Sequence, residues 1–171
     1  MRRGGCANVR PWVPVSYGCG LSPGTPRELT LDLPEQDARR LLSGASVATL
    51  ATVTEAARPH IVPVTFALDG DHIYVAVDAK PKTTRNLRRL RNIRGNPQVA
   101  VLADRYDDDW TSLWWVRADG RAAILEDPRQ MAGPIALLAS RYRQYRAIPP
   151  AGPVIDITIE RWTGWAASPQ G

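Results

Sequence analysis

The feature that most restricts this chain is the spacing of its short strand-forming runs. Residues 46–53 are short and β-branched, and further runs follow at 60–68, 73–77, 98–103 and 110–116. The links between them are polar turns, such as residues 54–58, or one short helical stretch. Asp69-Gly70 is a hairpin dipeptide. Antiparallel strands join through such turns, whereas parallel ones need a crossover of roughly a dozen residues or more. The spacing therefore predicts a mainly β (α+β) fold, a small antiparallel barrel of six to seven strands flanked by three helices.

The helices are legible from their ends. Leu33-Pro34-Glu35 opens the first, with proline at an early helical position and acidic residues near the N-terminus. Gly44 is expected as its C-cap. The second starts at Thr83 or Thr84 and runs to about Arg94, with Leu87, Leu90 and Ile93 as an apolar stripe. Gly95-Asn96-Pro97 stops it. Asp127-Pro128 opens the third, which carries on through Tyr142. Val154 to Ile159 alternates apolar and polar, so it predicts a half-buried strand. Residues 161–166 follow it. Pro63 inside the second strand predicts an edge, a bulge or a functional position. Asp119-Gly120 fits either a hairpin turn or a glycine bulge within one long strand.

The 171 residues suit one domain with a core of its own. Charge is uneven: residues 1–29 carry four arginines against one glutamate, while residues 30–171 carry 18 basic and 16 acidic side chains. The basic balance is thus mostly a property of the tail, and no nucleic-acid partner is expected. Residues 1–29, rich in Pro and Gly without apolar periodicity, read as a disordered or mis-annotated extension. Arg10, Pro11 and Pro14 interrupt any signal-like apolar stretch, and no apolar run nears the roughly 18 residues of a membrane helix. A cytoplasmic protein without a membrane partner is expected. Cys6 and Cys19 both lie in the tail and form no ligand pattern. His60 and His72 are too few for a zinc site, and no GxSxG elbow is present.

Only two of the 22 cationic residues are lysines, Lys80 and Lys82, and they flank Pro81. With Thr83, Thr84 and Asn86 they place two ammonium groups and two hydroxyls just ahead of a helix. Free N–H groups and partial positive charge at a helix start bind anions, and lysine adds a point charge. A phosphate-bearing ligand is one expectation; a capped, solvated basic helix is the other. Trp114 and Trp115 are adjacent and so must face opposite sides of a strand. The Arg141, Tyr142, Arg143, Tyr145, Arg146 cluster suits a solvated helix end. No carboxylate pair or triad is visible, so an enzyme built this way would rely on a cofactor.

Taken in order, Val47 to Thr52, Arg58 to Phe66 with Pro63-Val64, Lys80 to Leu87 and Asn96 to Val99 resemble the pyridoxamine 5′-phosphate oxidase-like split β-barrel superfamily. The stretch from Asp104 to Trp110 and on through Trp114, Trp115 and Gly120 is similar to its branch using coenzyme F420, a deazaflavin. So is the ending Gly152 to Trp165. The resemblance covers about residues 33–168. It implies an antiparallel split β-barrel and a homodimer with cofactor sites at the interface. It further implies that the strand holding Val62, Pro63 and Val64 lies along the ring. Lys80, Lys82, Thr83, Thr84 and Asn86 would sit near the phosphate and tail, and Trp110 would close the site. Asp119-Gly120 would lie within one long strand. The implied activity is hydride transfer from reduced F420 to a small electron-poor acceptor. The proton donor stays open among Tyr142, Tyr145, an arginine and water. Alternatives are an FMN-dependent oxidase or reductase of the same fold, and a non-catalytic F420- or FMN-binding protein. Because residues 1–29 lie outside the resemblance, deleting residues 1–28 should leave dimerisation and cofactor affinity intact. Sedimentation and a cofactor titration check this.

Overall fold

The structure, a computed structural model, describes residues 33–77 and 88–167. Helix α1 spans Glu35–Gly44, α2 Arg88–Gly95, α3 Pro128–Arg141 and α4 Arg143–Ala147. The strands are β1 (Ala48–Val53), β2 (Pro59–Val64), β3 (Ala67–Asp69), β4 (His72–Ala76), β5 (Gln98–Arg105), β6 (Trp114–Leu125) and β7 (Val154–Ala166). All seven lie in one antiparallel sheet in the order β2-β1-β5-β6-β7-β4-β3.

That order fixes the shape. β2 and β3 are the two outermost strands, yet only Thr65 and Phe66 separate them in sequence. Two linking residues span roughly 11 Å at most. The edges of a flat seven-stranded sheet would lie about 29 Å apart at roughly 4.8 Å per strand. The sheet must therefore curl into a half-barrel that is split between β2 and β3.

The expected single strand over 60–68 is accordingly two strands. Its break has a distant cause. The Tyr142 hydroxyl accepts from the Phe66 N–H at 3.1 Å and lies 2.8 Å from the Phe66 carbonyl and 3.0 Å from that of Ser46. Groups that would extend a ladder are thus occupied by a side chain 76 residues further on. The Arg141 guanidinium stacks over the Phe66 ring and donates to the Ala45 carbonyl.

Alternation assigns the faces. Ala48 and Leu50 of β1, Val99, Val101 and Ala103 of β5, and Val116, Ala118 and Ala122 of β6 point inward. Ala38 and Leu42 of α1, with Leu90 and Ile93 of α2, cover them. Buried Thr52 accepts from the Asn92 amide at 2.8 Å, tying α2 to β1. A smaller cluster under α3 and α4 joins Leu138 and Tyr145 to Ala67, Ala76 and Val154.

Other expectations shift for local reasons. Gly44 is the last residue of α1, and extended Ala45 caps it, so no left-handed glycine is used there. The helix from Pro128 breaks at Tyr142, which is extended, and α4 follows. Asp127 caps α3 by accepting from Arg129 N–H at 2.9 Å. Gly70, at φ 55°, makes the β3–β4 turn as its dipeptide predicts. Asp119 and Gly120 lie within the single strand β6, with a register shift between them that leaves Glu160 of β7 as the extra residue.

The bulge needs its glycine. A Cβ on Gly120 would penetrate the Thr158 carbonyl oxygen and crowd Ile159 Cα, both main chain in the adjacent strand. Gly120→Ala should cost about 1–3 kcal/mol by overpacking, lowering the melting temperature by about 2–12 °C. Differential scanning calorimetry reads this directly.

Candidate functional site

β2 is an edge strand, as the internal proline requires, because a missing N–H is tolerated where no neighbour needs it. Its residues alternate sharply. Pro59, Ile61 and Pro63 are exposed on the outer face, Ile61 at 62%. Val62 and Val64 turn inward, Val64 into the core. Of the three β2 candidates, only Pro63 offers its side chain to the outer face; the other two offer backbone.

The register extends this face across the sheet. Pro63 lies opposite Thr49, which lies opposite Leu102, then Arg117, then Thr163. One rung along are Ile61, Ala51, Ala100, Asp119 and Arg161. None of these residues belongs to either core cluster, so the face is a broad, shallow floor. At its far side Asp119 holds two arginines, Arg117 at 3.0 Å and Arg161 at 3.2 Å. The adjacent tryptophans divide as strand geometry demands. Trp114 packs on the core, while half-buried Trp115 lies on the outer face opposite Trp165.

Trp110 lies at the same end of the sheet as Pro63, because Ala48 pairs with Val64 while Arg105 pairs with Trp114. It is 77% exposed and sits in a 3-10 turn, Trp110–Ser112, not in the strand expected there. Side chains of the loop itself forced that turn. Asp109 caps it, accepting from the Thr111 N–H at 3.0 Å. Asp107 accepts from the Asp109 N–H at 2.8 Å and from Arg105 at 3.0 Å. These bonds, the Asp109 N–H foremost and Arg105 next, hold the Asp107 carboxyl below its ordinary value of 3.8.

Lys80, Lys82, Thr83, Thr84 and Asn86 lie outside the described residues, as does the expected start of the second helix. Of the cluster expected as a solvated helix end, Arg143 and Arg146 are exposed, while Arg141, Tyr142 and Tyr145 are built into the fold. Tyr142 is committed to Phe66 and Ser46, and Arg141 to Ala45. Tyr145 meets the Thr65 hydroxyl at 2.9 Å. Toward the other edge strand of the sheet, His72 Nδ1 and Asp156 join β4 to β7 at 2.8 Å. Burial, helped by Asp156 and Asp69, pushes the neighbouring Tyr74 phenol up. Among the described residues no group of three or more His, Cys, Asp or Glu is placed to hold a metal. No described helix is long and apolar enough to cross a membrane.

A curled antiparallel half-barrel whose outer face is open beside a proline-bearing edge strand defines a split-barrel protein. The pyridoxamine 5′-phosphate oxidase family matches residues 34–166, and the chain belongs to that family. No curated protein matches it. Among solved structures it is similar to the conserved hypothetical protein Rv2991 from Mycobacterium tuberculosis. Identity there is 19% over 86% of this chain and 96% of that one, with a TM-score of 0.67. A FAD-binding protein from Mesorhizobium loti matches at 20% identity over 77% and 94% of the two chains, with a TM-score of 0.61. HutZ, the heme storage protein of Vibrio cholerae, matches at 17% over 80% and 94%, with a TM-score of 0.59. At such identities the likeness is one of fold.

The loop's bonding has a testable sign. A carboxylate with a lowered folded value adds order above its ordinary value and loses it as pH falls through the lowered one. Asp107→Ala should speed amide exchange at Asp109 about tenfold or more at neutral pH while leaving Val101 in the core unchanged. In the unaltered chain the same loss of protection, taken relative to the intrinsic exchange rate at each pH, should appear only below the ordinary carboxylate value of 3.8. Exchange followed by NMR checks both.

Proposed function

We propose that this chain is an oxidoreductase that uses reduced coenzyme F420 to transfer hydride to a small electron-poor organic acceptor. It would act as a homodimer with cofactor sites at the interface. The observation that carries the proposal is the uncovered outer face beside the edge strand β2, in a member of the pyridoxamine 5′-phosphate oxidase family. The residues present suit a flat ring. Pro63 and exposed Ile61 give an apolar ledge, Thr49, Ala51 and Ala100 keep the floor low, and a second copy could cover the rest. A face with 62% of Ile61 exposed favours such a cover.

Each part of the chain would have a distinct task. Pro63 and the backbone of Val62 and Val64 would line the ring. Lys80, Lys82, Thr83, Thr84 and Asn86 would hold the phosphate and the acidic tail by charge and hydrogen bonds. Trp110, on its hydrogen-bonded loop, would close the site against water. When bound, the reduced deazaflavin supplies a hydride to an electron-poor C=C or C=N acceptor, and a proton completes the product. The protein contributes by holding ring and acceptor face to face. Tyr142 is a poor proton donor because its hydroxyl is already bonded to backbone groups.

The F420 assignment over FMN rests on the resemblance around Asp104 to Trp115. A flavin in the same place is the second reading, favoured by the FAD-binding proteins of like fold from Mesorhizobium loti and Mycobacterium smegmatis. Storage without turnover is the third, as the heme storage protein of like fold illustrates. Fluorescence titration with F420 and FMN in parallel separates them. Micromolar or tighter binding of F420 alone supports the proposal, and binding of FMN alone transfers it to a flavin. Lys82→Ala should weaken the bound cofactor by about tenfold, as the loss of one charge-assisted contact predicts, with an unchanged melting temperature. Unaltered affinity would remove Lys82 from the site.

A further inference from the structure

The structure assigns a further site residue, Thr65, backed by Tyr145: we propose that this hydroxyl pair forms the polar end of the ledge on which the ring lies. The assignment rests on the cofactor reading above. Thr65 directly follows the candidate strand and continues its outward alternation, since Val64 and Phe66 on either side both enter the core. Its side chain therefore stands on Pro63's side of the chain. It is half-buried, because α4 comes down beside it.

The Tyr145 hydroxyl lies 2.9 Å from Thr65 Oγ1. Tyr145 itself is buried among Leu138, Ala67, Ala76 and Val154, with its ring edge-on to Tyr142. Its position is thus set by packing and does not depend on a ligand. When Tyr145 donates to Thr65, the threonine keeps its own proton for another acceptor. Hydrogen bonds in series polarise one another, which strengthens the outermost donor. The pair offers that donor at the end of the apolar ledge beside α4. The ligand chemistry it fits is a flat ring with a carbonyl oxygen or imine-type nitrogen on the edge facing α4. Thr65 would touch the ring, and Tyr145 would act through Thr65 as a positioning residue.

The experiment compares Thr65→Val, Thr65→Ser and Tyr145→Phe in the full chain, titrated with F420 and with FMN. Each variant is also examined for melting temperature and for the absorption band of the bound ring. Thr65→Val should weaken the cofactor that binds by about tenfold and displace its bound absorption band. Thr65→Ser should restore both, and Tyr145→Phe should give a smaller displacement in the same direction. A melting temperature that falls in Thr65→Val with affinity and band unchanged would make the pair purely structural and overturn the assignment. So would failure of serine to restore binding. If the unaltered chain binds neither F420 nor FMN, the cofactor reading falls and the Thr65 assignment falls with it. Binding in the unaltered chain that is indifferent to Thr65 overturns the assignment alone.

Discussion

The two edges of the sheet come together because the Tyr142 hydroxyl occupies backbone groups that a continuous strand would have used. Phe66 gives up both its N–H and its carbonyl to that one oxygen, and Ser46 shares it. The chain can then leave β2 and enter β3 on the far side of the sheet after two residues. Without a partner at that point, the Phe66 groups would be buried polar atoms beside a ring that is itself wholly buried. The contact joins sequence segments far apart, so the barrel's closure depends on α3 and α4 being docked. The same contact fixes where β2 ends, and with it the position of Pro63 and Thr65.

The two faces of the sheet divide the labour. The inner face is filled by α1 and α2 and carries nearly all of the core. The outer face has small or polar residues at its centre and ion pairs toward β7. Apolar side chains stand at the β2 edge, at Trp115 beside Trp165, and at Ala67, Ala76 and Val154 under α3 and α4. Among the described residues the part of the face beside β2 is a shallow floor that would bind by shape. This suits chemistry in which a bound ring does the work and the protein holds two flat molecules together. It also explains why the same fold is found in proteins that bind FAD and in one that stores heme.

Much of the fold was legible because its signals are local. Asp69-Gly70 announced its turn, Asp127-Pro128 its helix, and the adjacent tryptophans their opposite faces. The proline in β2 pointed to an edge, a bulge or a functional position, and the strand lies at an edge. What stayed hidden required knowledge of distant partners. The strand over 60–68 looks continuous until Tyr142 is placed beside Phe66. Trp110 looks like a strand residue until Asp107 and Asp109 are seen folding the loop on themselves. Thr65 gave no signal, since a threonine after a strand is ordinary until Tyr145 is found behind it. The choice between a turn and a bulge at Asp119-Gly120 was open to residue patterns alone, and the resemblance settled it correctly. The lysine-bearing segment lies outside the described residues, and its part in the site rests on sequence.

The prolines of β2 have a consequence for solubility. An open sheet edge with exposed Ile61 at its middle is a template on which stray strands can assemble. Pro59 and Pro63 flank that isoleucine and supply no N–H, so an incoming strand would find gaps in the ladder it needs. At the other edge β3 is only three residues long and ends in Asp69. The barrel thus keeps its seam open without inviting foreign chains into it, and the cell is spared a protein whose unfinished edges would otherwise seed aggregates.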